Sequence, residues 1–175
     1  RAGLTKVILM HEPTAAALAY GFGFSKPQRI VVVDHGAGTV DLSYIQAGKG
    51  RQGHALVEVK VTDGRKSGLG GMVFDLLTAN YLAARWRTKH PDSDVSGKKV
   101  AFARVLEQAE AAKIKLSGKS ETHIRIPNIA KDQNGVSLSM GEPLNDRTFN
   151  ESVVDPRVSL ASLCRRFVEK IEAKD

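Results

Sequence analysis

The stretch that decides the fold is residues 30–45, which reads IVVVDHGAGTVDLSYI. A run of β-branched residues ends at Asp34, a short turn with two glycines follows, and apolar and polar residues alternate after Asp41. β-Branched runs and strict alternation are typical of strands, while paired glycines are typical of turns. The stretch therefore predicts a strand, a tight turn and a second strand.

The turn of this hairpin carries residue types that suit phosphate chemistry. Without Cβ atoms at Gly36 and Gly38, backbone N–H groups can come close to an anion. Thr39 adds a hydroxyl donor, and Asp34 and Asp41 supply the oxygen ligands that hydrated Mg²⁺ prefers. Two interpretations of these residues stay open: a phosphate-binding loop with a metal beside it, or an ordinary hairpin with a glycine-rich turn.

Composition limits the class of protein. The 175 residues suffice for one domain or two modest subdomains, and 42% hydrophobic with 26% charged residues is usual for globular proteins. No apolar run is long enough to span a bilayer, and the net charge of +7 is spread from Arg1 to Lys174. We therefore expect neither a membrane nor a nucleic acid as partner. The single cysteine, Cys164, excludes an internal disulfide framework and a multi-cysteine zinc site.

The first part of the chain reads as strands with one helix. Residues 6–10 predict a short strand, and an alanine-rich helix follows from Glu12 to Tyr20, with Pro13 in its first turn. After the hairpin, residues 48–53 predict a glycine-rich loop and residues 55–61 a third strand. Because the chain starts directly before a strand and without Met, we expect it to be a fragment of a longer protein.

The second part reads as two long helices, two strands and a closing helix. Helices are predicted over residues 74–89 and 98–116, strands over 122–126 and 136–140, and a last helix from Asp155 onward, whereas 141–150 stays unassigned. The predicted apolar helix faces are Phe74, Leu77, Tyr81 and Ala84 in the first helix, Phe102, Leu106, Ala109 and Leu116 in the second, and Leu160, Leu163, Phe167 and Ile171 in the last.

Three blocks in order resemble the nucleotide-binding domain of the seventy-kilodalton heat-shock chaperones. They are EPTAAALAYG at 12–21, the hairpin turn at 34–41 and LGGMVFD at 69–75; a weaker fourth match is EAAKIKLS at 110–117. The resemblance covers nearly the whole chain and is loosest at 48–53 and 130–150, where the chain carries extra residues.

The resemblance implies an α/β actin-like ATPase fold, of which this chain is a piece of lobe II. Residues 1–69 would belong to the ATPase-core subdomain with the second phosphate loop at 34–41. Residues 70–175 would form an outer subdomain with long helices and a small antiparallel sheet. The family's first phosphate loop, catalytic lysine and late adenosine loop have no counterpart here, so we expect no activity from this piece alone.

Site residues follow from the resemblance position by position. The catalytic set would be Glu12, which positions the attacking water's network, together with Asp34, Thr39 and Asp41. Asp34 would hold Mg²⁺ through water, and Asp41 would lie near that metal or near K⁺. The nucleotide contacts would be Gly36, Ala37, Gly38 and Thr39 on the phosphates, Gly70 and Gly71 at the double glycine, and Glu110, Lys113 and Ser117 on the ribose and purine.

The spacing of three and four residues puts Glu110, Lys113 and Ser117 on one helical face. A surface Glu–Lys pair followed by a helix-ending Ser is the alternative interpretation of those three residues. Several positions depart from the family pattern: His35, Ala37 in place of a glycine, Val40, Met72 and Val73 in place of acids, and Ile114 in place of an arginine.

The implied function is that of a chaperone that binds ATP or ADP with Mg²⁺ and hydrolyses ATP to drive polypeptide binding and release. Nucleotide-exchange factors, J-domain co-chaperones and client polypeptides would be its partners. The alternative is a divergent, chaperone-like regulatory protein with weak or no hydrolysis, and a third hypothesis is another actin-like kinase, such as a sugar kinase. The sequence does not give a compartment; we expect the cytoplasm, with an organelle lumen as the alternative.

Overall fold

The structure, a computed structural model, describes residues 3, 5–20, 26–49, 55–67, 69–153 and 160–173. The chain divides into two compact units, one of Arg1–Ser67 with Leu163–Asp175 and the other of Gly68–Ser162. Helices and two small antiparallel sheets occur together, as the sequence predicts for an α/β chain. No helix in the described ranges combines the length and apolar character needed to cross a membrane.

The first unit consists of one helix, a three-stranded sheet and most of the closing helix. In this antiparallel sheet the central strand is β2 (Thr39–Lys49), with β1 (Gln28–His35) on one side and β3 (Ala55–Ser67) on the other. The bounds are α1 (Glu12–Ala19), β1 (Gln28–His35), β2 (Thr39–Lys49), β3 (Ala55–Ser67) and α5 (Leu160–Glu172). The predicted hairpin is therefore confirmed, whereas most of the predicted loop at 48–53 and the predicted helix start at Asp155 lie outside the described residues.

The core of this unit follows the central strand. β2 is paired on both edges, and its buried side chains include neighbours on both faces, such as Leu42, Tyr44 and Ile45. The stretch from Leu42 to Ile45 is apolar apart from Ser43, which is buried as well, so both faces of β2 are covered there. On the closing helix, the predicted residues Leu163 and Phe167 are buried.

Two strand predictions in this unit differ from the structure. Residues 6–10 form no strand in the described structure, and their apolar side chains from Val7 to Met10 are exposed. An extended segment becomes a strand only when another strand pairs with it, and here none of the described strands does. β3 runs six residues past its predicted end at 61, to Ser67, because Thr39 and Val40 of β2 continue to pair with it.

The second unit packs two long helices against a two-stranded hairpin. A short helix, α4 (Asp146–Thr148), leads into a π-helical turn, Phe149–Val153, so the segment that the sequence left unassigned is the end of a strand followed by helical residues. The Asn145 side chain caps the start of α4 by accepting a hydrogen bond from the Thr148 N–H at 2.7 Å. The bounds are α2 (Gly71–Lys89), α3 (Lys99–Leu116), β4 (Glu121–Lys131), β5 (Ser137–Asn145) and α4 (Asp146–Thr148).

The buried helix faces differ from the predicted ones by about one position. On α2 the predicted residues Phe74, Leu77 and Tyr81 are half-buried and Ala84 is exposed. On α3 only Ala109 of the predicted set is fully buried. The buried faces combine alanines and polar residues with a few large side chains such as Leu82 and Trp86. The fully buried helix residues are Asp75, Thr78, Ala79, Leu82, Ala83 and Trp86 on α2, and Ala101, Val105, Ala109 and Ala112 on α3.

Trp86 links the end of α2 to the loop that follows. The indole is 2% exposed, its Nε1–H donates to the Ser93 carbonyl oxygen at 2.7 Å, and its ring lies 4.1 Å from the His90 ring. A buried indole N–H needs such an acceptor. Trp86 therefore serves packing at the end of α2.

Candidate functional site

The hairpin turn brings the predicted acids together across two strands. Asp34 on β1 is directly opposite Asp41 on β2. The turn between them is closed by a hydrogen bond from the Gly36 N–H to the Thr39 carbonyl oxygen, at 2.9 Å. The Thr39 hydroxyl donates to Asp41 Oδ2 at 3.1 Å. Thr39 therefore fixes the orientation of one of the two carboxylates.

The glycines of the turn do not serve a special backbone conformation. Neither Gly36 nor Gly38 is among the residues with positive φ. A Cβ added to Gly38 would meet no atom within 4 Å, and one added to Gly36 would lie 3.4 Å from the Thr39 carbonyl oxygen. Gly36, Ala37 and Gly38 are all exposed. The missing side chains therefore leave the turn backbone accessible from solvent, which an ordinary hairpin turn does not require.

A pocket of about 210 Å³ collects the predicted carboxylates of the first unit. Glu12 reaches it from the first turn of α1, where Pro13 suits the start of the helix, and Asp34 and Asp41 reach it from the hairpin. Three acids around one opening create a region of negative potential that attracts cations. The pocket is lined by His11, Glu12, Pro13, Val32, Asp34, Asp41, Ser43 and Val59.

The donor set of this pocket suits a hydrated cation better than a directly ligated one. Carboxylate oxygens are hard ligands, and Mg²⁺ usually keeps several of its waters. In the described part of the chain, no group of three or more His, Cys, Asp or Glu side chains is close enough to hold a metal by itself. Asp34 and Asp41 therefore fit the predicted role of binding Mg²⁺ through water.

In the second unit, the double glycine and the predicted lysine are in direct contact. Gly70 is the N-cap of α2 and Gly71 is its first residue. The Lys113 ammonium on α3 donates to the Gly71 carbonyl oxygen at 3.0 Å and lies 2.6 Å from Asp75 Oδ1. The sequence did not single out Asp75 as a site residue. In the sequence, Asp75 is marked only as the acidic last residue of the block LGGMVFD.

Glu110 and Ser117 lie exposed on α3, on either side of Lys113. Ser117 ends the helix as its C-cap, and its hydroxyl contacts the Lys113 carbonyl oxygen at 3.4 Å. The helix-ending serine agrees with the alternative interpretation. The lysine's ion pair does not, because its partner is Asp75 on the neighbouring helix.

The most buried charge of the second unit lies outside the predicted site. Glu142 on β5 is 2% exposed and accepts hydrogen bonds from Arg85 Nε, at 2.9 Å, and from Lys89 Nζ. Burial alone would raise the pKa of the Glu142 carboxyl, but the hydrogen bonds and charges of Lys89 and Arg85 outweigh it and lower the pKa. The arrangement ties β5 to α2 and serves the fold of this unit.

Comparison with known protein families shows a match over most of the chain. The family model described as Hsp70 protein matches residues 1–168. The matched range includes the hairpin turn, the pocket acids, the double glycine and Lys113. Glu110 and Ser117 also fall inside it.

Proposed function

The chain belongs to the Hsp70 family, whose nucleotide-binding domain has an actin-like ATPase fold, and we propose that it supplies phosphate and nucleoside contacts of an ATP site. In the intact protein, ATP binding and hydrolysis at this site would drive the binding and release of polypeptides. The observation that carries the proposal is the pocket that Glu12, Asp34 and Asp41 share beside an exposed glycine-rich turn.

In this proposal the turn binds the β- and γ-phosphates. Gly36, Ala37 and Gly38 are exposed, but the Gly36 N–H is bonded to the Thr39 carbonyl oxygen, so the N–H groups of Ala37 and Gly38 would meet the phosphates, with the Thr39 hydroxyl beside them. Phosphoryl transfer relies mainly on positioning and on stabilising the charge of the phosphates. Open backbone at the turn supports this role, because a methylene or larger group at Gly38 would stand where the ligand approaches.

Asp34 and Asp41 would hold Mg²⁺ through its waters, with Asp41 also close to K⁺. When bound, Mg²⁺ neutralises phosphate charge. Glu12, at the start of α1 and in the lining of the same pocket, would orient the attacking water. No covalent nucleophile is needed for this chemistry.

The nucleoside contacts would come from the second unit. Gly70 and Gly71 begin α2, and Glu110, Lys113 and Ser117 follow one face of α3. Lys113 is 24% exposed at its side chain, so part of the ammonium can meet a ligand. Nucleotide-exchange factors and J-domain co-chaperones would act on the intact protein together with client polypeptides.

A second candidate function is nucleotide binding with weak or no hydrolysis. The observation in its favour is that two departures from the family pattern, Ala37 and Ile114, are exposed next to the proposed phosphate and nucleoside contacts. Ala37 puts a methyl group on the exposed turn, and Ile114 is 62% exposed beside Lys113. An isoleucine there cannot supply the cation–π contact of an arginine to the base.

ATP turnover by the full open reading frame tests the proposal. We expect turnover that Asp34→Asn abolishes and that Asp92→Asn, at an exposed acid of the second unit, leaves unchanged. Turnover equal to that of Asp34→Asn, together with measurable Mg-ATP binding, would favour the second candidate. Absence of nucleotide binding would reject both candidates.

The 175-residue chain alone provides a further test. Because the family's other phosphate and adenosine loops have no counterpart in this sequence, we expect at most weak binding of Mg-ATP to it. Tight binding in a calorimetric titration would contradict the expectation that the site here is incomplete.

A further inference from the structure

Asp75 is a buried carboxylate that the proposed nucleotide contacts leave unexplained. It lies in the second turn of α2 and is 6% exposed. Its Oδ1 accepts no aligned hydrogen bond in the part of the chain that the structure describes, yet Lys113 Nζ lies 2.6 Å away. A buried carboxylate needs a compensating charge. The ammonium of Lys113 therefore provides that charge.

Lys113 is in turn held from two directions at the start of α2. Its ammonium contacts Asp75 and also donates to the Gly71 carbonyl oxygen at 3.0 Å. An ammonium group has three N–H donors, and only the bond to Gly71 is an aligned hydrogen bond, so at least one N–H is left for a ligand even if the ion pair with Asp75 engages another. The side chain is partly exposed, which leaves a direction of approach open.

We propose that Asp75 is a positioning residue for the nucleoside contact. It holds the Lys113 ammonium so that the remaining N–H meets the hydroxyl oxygens of a ribose, and it thereby sets the preference for a ribonucleotide over a nucleotide without those hydroxyls. A lysine that is ordered before binding does not lose the freedom of its four-carbon chain when the ligand arrives. This inference rests on the proposed function.

The simpler alternative is that Asp75 and Lys113 only tether α2 to α3. The two roles differ in what they predict for ligands. Loss of a tether loosens the unit and weakens every nucleotide by a similar factor. Loss of a positioned donor weakens only ligands whose sugar hydroxyls that donor meets.

Calorimetric titration of the full-length protein with Mg-ADP and with Mg-2′,3′-dideoxy-ADP separates these roles. For Asp75→Asn we expect ADP affinity to fall about tenfold, the loss of one hydrogen bond to a charged group, with little change for the dideoxy analogue. Lys113→Met should lose the same preference, and the double variant should be no worse than Lys113→Met. Asp92→Asn, at an exposed position, is the matched control for the loss of an acid.

Each other outcome has a defined meaning. If Lys113→Met loses the ribose preference while Asp75→Asn keeps it, the inference is wrong and the proposed function stands. An equal loss for both ligands in Asp75→Asn would assign the pair to a tether and overturn the inference. A wild-type protein that binds neither ligand would overturn the proposed function itself.

A measurement on the wild-type protein covers the case in which Asp75→Asn does not fold. A held ammonium exchanges its hydrogens slowly, so a ¹⁵Nζ resonance that disappears in Lys113→Met should be observable by NMR. We expect this resonance to shift on addition of Mg-ADP and to stay in place with the dideoxy analogue. The same shift with both nucleotides would overturn the inference.

Discussion

The buried ion pairs of Glu142 predict an asymmetric loss of stability. The carboxylate is 2% exposed, whereas its partners Arg85 and Lys89 are 43% and 49% exposed. Replacing both cations by methionine leaves a buried charge without compensation, which costs about 3–5 kcal/mol of unfolding free energy. Glu142→Gln leaves two cations that can turn to water, so the expected cost is only about 1–2 kcal/mol.

Urea unfolding of the 175-residue chain measures this difference through the fluorescence of its single tryptophan. Trp86 lies on the same helix as both cations and is 2% exposed, so its emission reports the unfolding of the second unit. Arg87→Met, at an exposed arginine of the same helix, is the matched control and should change the unfolding free energy by less than about 0.5 kcal/mol.

The urea dependence of the unfolding free energy must stay constant among these variants for the comparison to hold. The reasoning is refuted if the Arg85→Met/Lys89→Met variant is no less stable than Glu142→Gln. That result would mean that water reaches the carboxylate and that its burial does not control the energetics.

Three further predictions concern acid stability, the turn and the tryptophan. The pKa of Glu142 is lowered in the folded state, so its stabilising effect should be present above its ordinary pKa of about 4.5 and be lost as pH falls through the lowered folded pKa. Unfolding free energies measured across the acid range check this. The same loss of unfolding free energy at low pH in Glu142→Gln as in the unaltered chain would contradict it. Gly38→Ala should keep or slightly raise stability, since its Cβ meets nothing within 4 Å, while Mg-ATP affinity of the full-length protein falls; equal affinity in a titration would argue for an ordinary hairpin turn. Trp86→Phe should lower the unfolding free energy by about 1–3 kcal/mol because the Ser93 carbonyl loses its donor. Thermal unfolding followed by circular dichroism measures this loss, and Trp86→Tyr, which keeps a polar hydrogen on the ring, is the variant for comparison.

The hairpin could be predicted because its signals are local. β-Branched residues, alternation with period two and glycines in the turn all lie within sixteen residues, and the observed register pairs Asp34 with Asp41. The length of β3 was missed because its last residues are polar and their pairing depends on β2. The predicted strand over residues 6–10 was wrong because an apolar pattern indicates an extended chain but does not show which strand would pair with it.

The helix faces were harder to predict, for a physical reason that two residues of α2 illustrate. Asp75 and Thr78 are polar, so the pattern of hydrophobic residues puts the buried face elsewhere. In the structure the Thr78 hydroxyl donates to the Phe74 carbonyl oxygen at 2.8 Å, and Asp75 is compensated by Lys113. Polar groups with internal partners can be buried at low cost, and the sequence of one helix does not show those partners.

One part of the candidate site follows from local sequence pattern, and another part depends on tertiary packing. The two acids of the hairpin follow from local pattern, whereas the presence of Glu12 in the same pocket depends on how α1 packs beside the sheet. Sequence alone could associate Glu12 with the hairpin acids only through the resemblance. The contact of Lys113 with Gly71 and Asp75 depends likewise on the packing of α3 against α2.

Four departures from the family pattern are exposed, namely His35, Ala37, Met72 and Ile114, whereas Val73 is half-buried and Val40 is fully buried in β2. Ala37 and Met72 are exposed, and Ile114 is 62% exposed, so none of them is part of the core of either unit. Substitutions at exposed positions change stability little but alter whatever binds to that surface. Family membership therefore explains the fold, while the proposed turnover would depend on the exposed turn and on the acids beside it. This is why Asp34→Asn and Gly38→Ala, both at exposed positions, are the variants that separate catalysis from folding.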